Sequence, residues 1–350
     1  MSQEHSVERD GQAPGSVDAR SSRPAAIDVD GLELTYSDGT EAVRGVDMTV
    51  PGGEFFGFLG PNGAGKTTTI KVFATLLSPT AGSVTVNGFD VTTDPRKVRE
   101  SIGYMAQETS IDPELTAREN IRFACEAYGV PRGTRADRVD ELLDLVDLVD
   151  VAGKRAEEFS GGMKKRLDAA TALVHQPPLV FLDEPTTGLD PKARNRLWEY
   201  FRRINDEGTT IFLTTQYLEE ADQLCDRLAV ILGGEIVADG SPADLKRRVG
   251  GEVLDVDLED GDDARQRAAS IAEAFDAFSD ATVSVTDEGI SVTAETARQH
   301  GTDLLVALRD AGLTVTGFNI RAPTLDDVFL AITGEELELE ERSPDRRVEQ

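Results

Sequence analysis

The sequence predicts an α/β protein: a mostly parallel sheet covered by helices on both faces, followed by a small α+β module of ferredoxin-like order. Three observations carry this expectation. Short apolar strands without inside–outside alternation, PLVFLD (178–183), TTIFLTT (209–215) and RLAVIL (227–232), are interleaved with helical stretches at 191–206 and 217–225. Strands buried on both faces have this composition, and alternating β and α units build parallel sheets. An apolar strand, EFFGFLG (54–60), runs straight into a glycine-rich loop and then into helical spacing over 65–77. Beyond Gly250 the order becomes strand, helix, hairpin, helix, strand, the split β-α-β pattern.

Residues 1–26 contain Gly, Ser, Pro and charges but no aromatic residue and no Leu, and read as a disordered leader. IDVDGLELTY (27–36) and EAVRGVDMTV (41–50) alternate in part around the turn-like SDGT, predicting antiparallel strands. GSVTVNG (82–88) reads as a further strand. Residues 113–158 are helical in pattern, with apolar residues at three- and four-residue spacing in RVDELLDLVDLVDV. The main domain is expected to span 27–249, with a helical subdomain at about 108–165, and an accessory domain 250–334. In the latter, EVLDVDLE is a strand, 262–279 a helix, 281–295 a hairpin turning at Asp287, Glu288 and Gly289, 296–311 a helix and LTVTGFNI a strand. Residues 335–350 form an acidic tail expected to be disordered.

At 350 residues and 39% apolar content, the chain suits about two domains with real cores. It carries 65 Asp and Glu against 36 Lys and Arg, a net charge of −29. Such a surface repels phosphate backbones, so sequence-independent nucleic-acid binding is not expected. Residues 250–350 alone hold 24 acids and 8 bases. This suits either a basic partner for the C-terminal part or a cytoplasm rich in salt. The spread of acids over every segment favours the second. No apolar run reaches about 18 residues, so no membrane span is expected, and the N-terminus lacks the segments of a secretory signal. Cys125 and Cys225 match no metal or redox spacing, and the three histidines form no ligand-like group.

The strongest chemical signal is GPNGAGKTT: Gly60, Pro61, Asn62, Gly63, Ala64, Gly65, Lys66, Thr67 and Thr68. It fits G-x-x-x-x-G-K-S/T between a strand and a helix, the context the motif requires. Its glycines let backbone N–H groups close around phosphate oxygens; Lys66 supplies a point charge and Thr67 a Mg²⁺ ligand. LVFLDEP (179–185) ends a buried strand in two acids, at the sheet edge where α/β proteins bind ligands. Asp183 there suits Mg²⁺, and Glu184 can take a proton from an attacking water. In FSGGMKKRLDAATALV (159–174), Ser160 can cap a helix whose first N–H groups Gly161 and Gly162 leave open to an anion. Alone, that segment is simply a capped helix.

Phosphate loop, SGG helix, LVFLDEP and TTGLDP, in that order, resemble an ATP-binding cassette (ABC) ATPase over about residues 27–245. The resemblance implies a P-loop core with an antiparallel β part and a helical subdomain, and ATP and Mg²⁺ as cofactors. It places Tyr36 where an aromatic stacks on adenine, Gln107 where a glutamine links Mg²⁺ to the helical subdomain, and Asp190 where a loop aspartate couples the two sites of a dimer. Singly, Tyr36 is an ordinary strand aromatic and Gln107 a loop amide. Two departures stand out: Phe159 and Met163 flank the SGG triplet, and Gln216 replaces the usual histidine. Gln can donate a hydrogen bond to a γ-phosphate but cannot carry charge or relay a proton, which leaves Glu184 as the main candidate base. Both departures are similar to the daunorubicin-resistance type of exporter ATPase, as is APTLDDVFLAITG (322–334). The last segment also reads as a Pro-initiated amphipathic helix packing on its own domain.

The resemblance implies an ATP-hydrolysing subunit of an exporter, working as a head-to-tail homodimer on the inner face of the cell membrane and driving a separate transmembrane permease. A soluble ABC ATPase of translation or chromosome maintenance, or a switch with little hydrolysis, is the alternative. The single cassette, the close spacing of its motifs and the acidic surface weigh against the first of these, and Gln216 motivates the second.

Overall fold

A computed structural model describes residues 23–259, 261–278 and 281–333. The expected acidic tail and all but the last four residues of the expected leader lie outside them. The chain opens with two long antiparallel strands, β1 (Ala25–Thr35) and β2 (Glu41–Pro51), so β1 begins inside the stretch expected as leader. Then follow β3 (Phe55–Leu59), α1 (Lys66–Phe73), β4 (Ala81–Val86), β5 (Phe89–Asp90), α2 (Pro95–Glu100) and β6 (Ile102–Met105). Helices α3 (Ala117–Ala127), α4 (Arg135–Leu145) and α5 (Gly161–Ala172) come next, then β7 (Leu179–Asp183), α6 (Pro191–Asp206), β8 (Thr210–Thr215), α7 (Leu218–Leu224), β9 (Arg227–Leu232), β10 (Glu235–Gly240) and α8 (Pro242–Val249). The C-terminal part holds β11 (Glu252–Leu258), α9 (Asp262–Glu273), β12 (Thr282–Val285), β13 (Gly289–Ala294), α10 (Ala297–Asp310), β14 (Val315–Arg321) and α11 (Leu325–Thr333).

Three sheets result. One is antiparallel, in the order β2-β1-β4-β5. The second has the order β10-β9-β3-β8-β7-β6; its strands run parallel except for β10. Every residue of β3, β7 and β8 is buried, which is why these segments read as apolar runs rather than alternations. Between the two sheets, Phe212 is ringed by Phe56, Phe58, Phe73 and Phe181 at centroid distances of 5.4–5.7 Å, within the range of favourable aromatic pairs. Strand β6 carries too few residues to announce itself in the sequence. Its Gly103 lets α5 approach: a Cβ there would lie 2.4 Å from the Ala172 carbonyl oxygen.

The third sheet is antiparallel, in the order β12-β13-β11-β14. Counting its strands from β11 as one, this is the 4-1-3-2 arrangement of the ferredoxin-like fold, as the order of elements predicted. The last helix departs from expectation. Leu325, Val328 and Phe329 of α11 join the core that includes Leu218, Ala221, Leu224 and Leu245 of α7 and α8, not the core of the C-terminal sheet. Helices α9 and α10 already cover the buried side of that sheet.

Arg321 fixes where α11 starts. Its guanidinium donates to Asp255 Oδ2 at 2.7 Å and to both carboxylate oxygens of Asp327, at 2.6 and 3.0 Å. Thr324 caps the helix by accepting from the Asp327 N–H at 3.4 Å, while its own N–H and hydroxyl donate to the Asp327 carboxylate. Burial disfavours the Asp327 carboxylate, but Arg321 and Thr324 more than offset this and hold its pKa below the ordinary value. Arg321→Met is therefore expected to destabilise the protein by about 1.5–3 kcal/mol, the range for charged hydrogen bonds. Because the Asp327 pKa is lowered on folding, this stabilisation is present above the unfolded carboxylate value of about 3.9 and is lost as pH falls through the folded one. Denaturation of native and variant protein at neutral and acid pH should show the gap narrowing in acid.

Candidate active site

Four neighbouring parallel strands end at one edge of the central sheet. In the order β3, β8, β7, β6, they deliver the 60–68 loop, Gln216, the pair Asp183 and Glu184, and Gln107. Parallel strands put every C-terminal end on the same side, which is how residues distant in sequence meet at such an edge.

The 60–68 loop is shaped for an anion. Gly65, with φ of 109°, precedes α1, which has no side-chain cap and no acid in its first turn. Its N–H groups are thus left for a ligand of negative charge. A Cβ at Gly65 would sit 2.4 Å from the Ala42 carbonyl oxygen, and one at Gly60 2.4 Å from that of Ile231; only glycine fits this cradle. Lys66, 4% exposed, donates to the carbonyls of Gly60 at 2.7 Å and Pro61 at 3.1 Å and pairs with Glu184 at 3.2 Å. Burial pushes its ammonium below the usual lysine range, with Glu184 and Asp183 pulling the other way. The Tyr36 hydroxyl meets Thr68 Oγ1 at 3.0 Å, with the ring partly exposed beside the loop.

Asp183 and Glu184 are consecutive, and in an extended strand consecutive side chains point to opposite faces. A turn resolves this. Glu184 has φ of 48°, a left-handed conformation that non-glycine residues adopt at a cost and that clusters at functional sites. Its N–H is tied to the Thr214 carbonyl at 3.0 Å. The two carboxylates then both face the loop: Asp183 Oδ1 accepts from Thr67 Oγ1 at 3.2 Å and from Thr214 Oγ1 at 2.6 Å, while Glu184 meets Lys66. Gln107 Nε2 donates to Glu184 Oε2 at 3.2 Å. Gln216 is half-buried just beyond β8.

Ser160, Gly161, Gly162 and Asp190 lie elsewhere. Ser160 caps α5, accepting from the Met163 N–H at 3.3 Å, and Asp190 caps α6, accepting from the Ala193 N–H at 2.9 Å. A Cβ on Gly162 would lie 2.9 Å from that of Ala193, so the two helix heads adjoin. Among the described residues no hydrogen bond or ion pair joins them to the 60–68 loop. The structure also adds residues that no motif announced. Thr214 orients both Asp183 and Glu184. The buried Glu220 accepts from Trp198 Nε1 at 2.8 Å and Thr186 Oγ1 at 3.0 Å, bracing the chain that leads from Glu184 to Asp190. Tyr104 stays a neutral phenol, its pKa pushed up to about 12 by burial and by the charge of Asp183.

Fold and site together define a P-loop nucleoside triphosphatase. Residues 43–187 match the family described as ABC transporter, and 240–333 match the C-terminal domain of DrrA1-3-like ATP-binding proteins. The chain is 41% identical to the daunorubicin/doxorubicin resistance ATP-binding protein DrrA of Streptomyces peucetius, over 88% of this chain and 92% of that protein. It is 34% identical to the linearmycin resistance ATP-binding protein LnrL of Bacillus subtilis, over 89% and 99%. A solved ATP-binding subunit of an ABC transporter superposes with a TM-score of 0.59 at 32% identity, covering 64% of this chain and 93% of that one. A dimeric ATP-binding cassette in a post-hydrolysis state with ADP and Pi superposes with a TM-score of 0.57 at 26% identity, over 61% and 98%.

The chain belongs to the ATP-binding subunits of ABC transporters, in the DrrA-like group whose C-terminal domain it shares. It is an ATPase that serves transport, and nothing found favours a translational, chromosomal or non-hydrolysing role.

Proposed function

We propose that this subunit powers an exporter by closing and opening a head-to-tail homodimer around two ATP molecules. The observation that carries this reading is the separation of two anion-binding heads. The loop cradle with Lys66 is one, and the capped Ser160–Gly162 head, with no hydrogen bond or ion pair to it among the described residues, is the other. A site assembled from one protomer's loop and its partner's α5 head uses both. The relatives named for drug resistance, and others named for Nod factor export, support the outward direction.

In this reading Lys66 and the N–H groups of α1 hold the β- and γ-phosphates, and Tyr36 lies beside the adenine. Thr67 and Asp183 offer oxygen donors 3.2 Å apart, one hydroxyl and one carboxylate, which suits Mg²⁺ shared with phosphate oxygens and water. The ion would neutralise charge on the phosphates. Glu184 takes the proton of the attacking water, Gln216 orients that water, and Gln107 carries the state of the site to the helical subdomain. Among the described residues no helix is long and apolar enough to cross a membrane. A separate permease therefore completes the transporter, with this subunit held at the inner membrane face.

If each site needs two protomers, ATP turnover per protomer should rise with protein concentration and level off as dimers fill. A flat dependence, with light scattering reporting monomer throughout, would overturn the clamp. The net charge of −29 adds a second expectation. At about 0.01 M ionic strength the Debye length is about 30 Å, and at 1 M about 3 Å, so salt removes the repulsion between approaching protomers. ATPase activity and melting temperature should both rise from about 0.1 M to 1–2 M KCl, where screening is nearly complete. Maximal activity at the low end, with no gain in melting temperature, would point instead to a basic partner for the acidic C-terminal part.

A further inference from the structure

Two charged side chains are buried where α5 meets the loop after β6: Lys165 is 8% exposed and Asp168 1%. The Lys165 ammonium donates to the backbone carbonyl of Gln107 at 2.5 Å. Asp168 Oδ1 accepts from Ser110 twice, from its N–H at 3.1 Å and its hydroxyl at 2.6 Å. Three residues apart on a helix, the pair shares one face and grips the loop at both ends of 107–110. The same helix begins at the Ser160–Gly162 head. In the other direction, Gln107 reaches Glu184. A continuous mechanical path thus runs from the head of α5 to Glu184.

The cost of this arrangement indicates what it does. Burying an ion is costly even when paired, and apolar side chains of similar volume often serve stability as well or better. The neighbouring Leu167, Ala169 and Ala170 are apolar and buried, as simple packing requires. Lys165 and Asp168 instead make directional contacts to a loop that would otherwise be free to slide over an apolar surface. Burial pushes the Lys165 pKa down and the Asp168 pKa up, and the negative charges of Asp183 and Glu184 both act on Lys165. Asp168 Oδ2 has no hydrogen-bond partner among the described residues, and the charge of Asp168 is offset first by its two Ser110 hydrogen bonds and then by the positive charge of Lys165.

We propose that Lys165 and Asp168 are positioning residues that set Gln107 against Glu184, so that hydrolysis depends on where the head of α5 sits. This rests on the reading of Glu184 and Gln107 given above. Its consequence is a separation of roles. ATP binding to the 60–68 loop is independent of α5, whereas turnover requires α5 to be seated, as it would be once its head engages the other protomer's nucleotide.

The test pairs Lys165→Met with Asp168→Leu in the full-length protein, removing both charges together so that neither is left buried alone. The expected result is a kcat about ten- to a hundredfold lower, the scale of ångström-level misplacement, with KM and equilibrium ATP binding within about threefold of native. Lys165→Arg, which keeps the donor, should retain kcat within about threefold. Residues that act through one another are not additive, so in a Gln107→Ala background the same double substitution should lower kcat by less than about twofold more. An equal further loss in that background, or a native kcat in the double variant while Gln107→Ala is impaired, would overturn this proposal alone. A native kcat in Gln107→Ala would overturn the role of Gln107 as well. If the double variant does not fold, Lys165→Met and Ser110→Ala are measured against the same outcomes.

Discussion

Glu184→Gln is expected to abolish steady-state ATP hydrolysis while leaving ATP bound. The substitution keeps size and hydrogen-bonding reach, and the left-handed turn that aims the side chain is a property of the backbone and its tie to Thr214. What is lost is the ability to take a proton. General-base catalysis supplies about 10²–10⁴ in rate, so turnover should fall by at least about a hundredfold. Binding should hold or tighten, because neutralising Glu184 releases Lys66 from its ion pair at 3.2 Å for the phosphates. In the proposed clamp hydrolysis opens the dimer, so the variant with ATP should elute as a dimer on size exclusion. Near-native turnover would remove Glu184 from the role of base and direct attention to Gln216, whose replacement by Ala would then be decisive.

Lys66→Ala is expected to have the largest effect on binding. No other lysine lies in the 60–68 loop, and Lys66 is sequestered from water, so neither a neighbour nor solvent can replace its charge. Truncating one partner of a buried charged pair costs about 2–5 kcal/mol, roughly 30- to several-thousand-fold in affinity. The same substitution also removes the Lys66 ammonium from the Gly60 and Pro61 carbonyls and from Glu184, whose carboxylate then keeps only the Gln107 hydrogen bond among the described residues, so a lower melting temperature should accompany the loss. Equilibrium ATP binding within a few-fold of native would refute the assignment of this loop to phosphate.

The sequence disclosed those parts of the site that depend on local geometry. A glycine loop between strand and helix, and two acids at the end of an apolar strand, carry their chemistry in their spacing. The order of elements after Gly250 likewise pointed to the ferredoxin-like module, since split β-α-β units have few ways to pack. What stayed hidden depends on burial. Lys165 and Asp168 have the spacing of ordinary exposed charges on a helix, and only the approach of the loop after β6 desolvates them. Thr214 is one of two threonines ending β8, and nothing in a single strand tells which of them faces Asp183. Glu184 looked like the strand's next residue, while its turn is set by a hydrogen bond to a strand that arrives later in the chain. The destination of α11 was invisible for a similar reason. Its amphipathic pattern specifies an apolar partner but not which one, and the partner proved to be α7 and α8.

That packing bears on how the protein is made. The ribosome releases the chain from the N-terminus at about 5–20 residues per second, and domains generally fold as they emerge. Once α8 has appeared, every element of the central sheet is available, yet Leu224 and Leu245 await Leu325, Val328 and Phe329. At that pace the intervening stretch takes several seconds to synthesise. During this interval the ATP-binding half displays the apolar patch that α11 covers in the folded chain. A message cut short before α11 would yield a chain complete in its nucleotide motifs but permanently sticky on one flank, a natural target for chaperones and proteases. The last described helix is thus what closes this flank of the catalytic half.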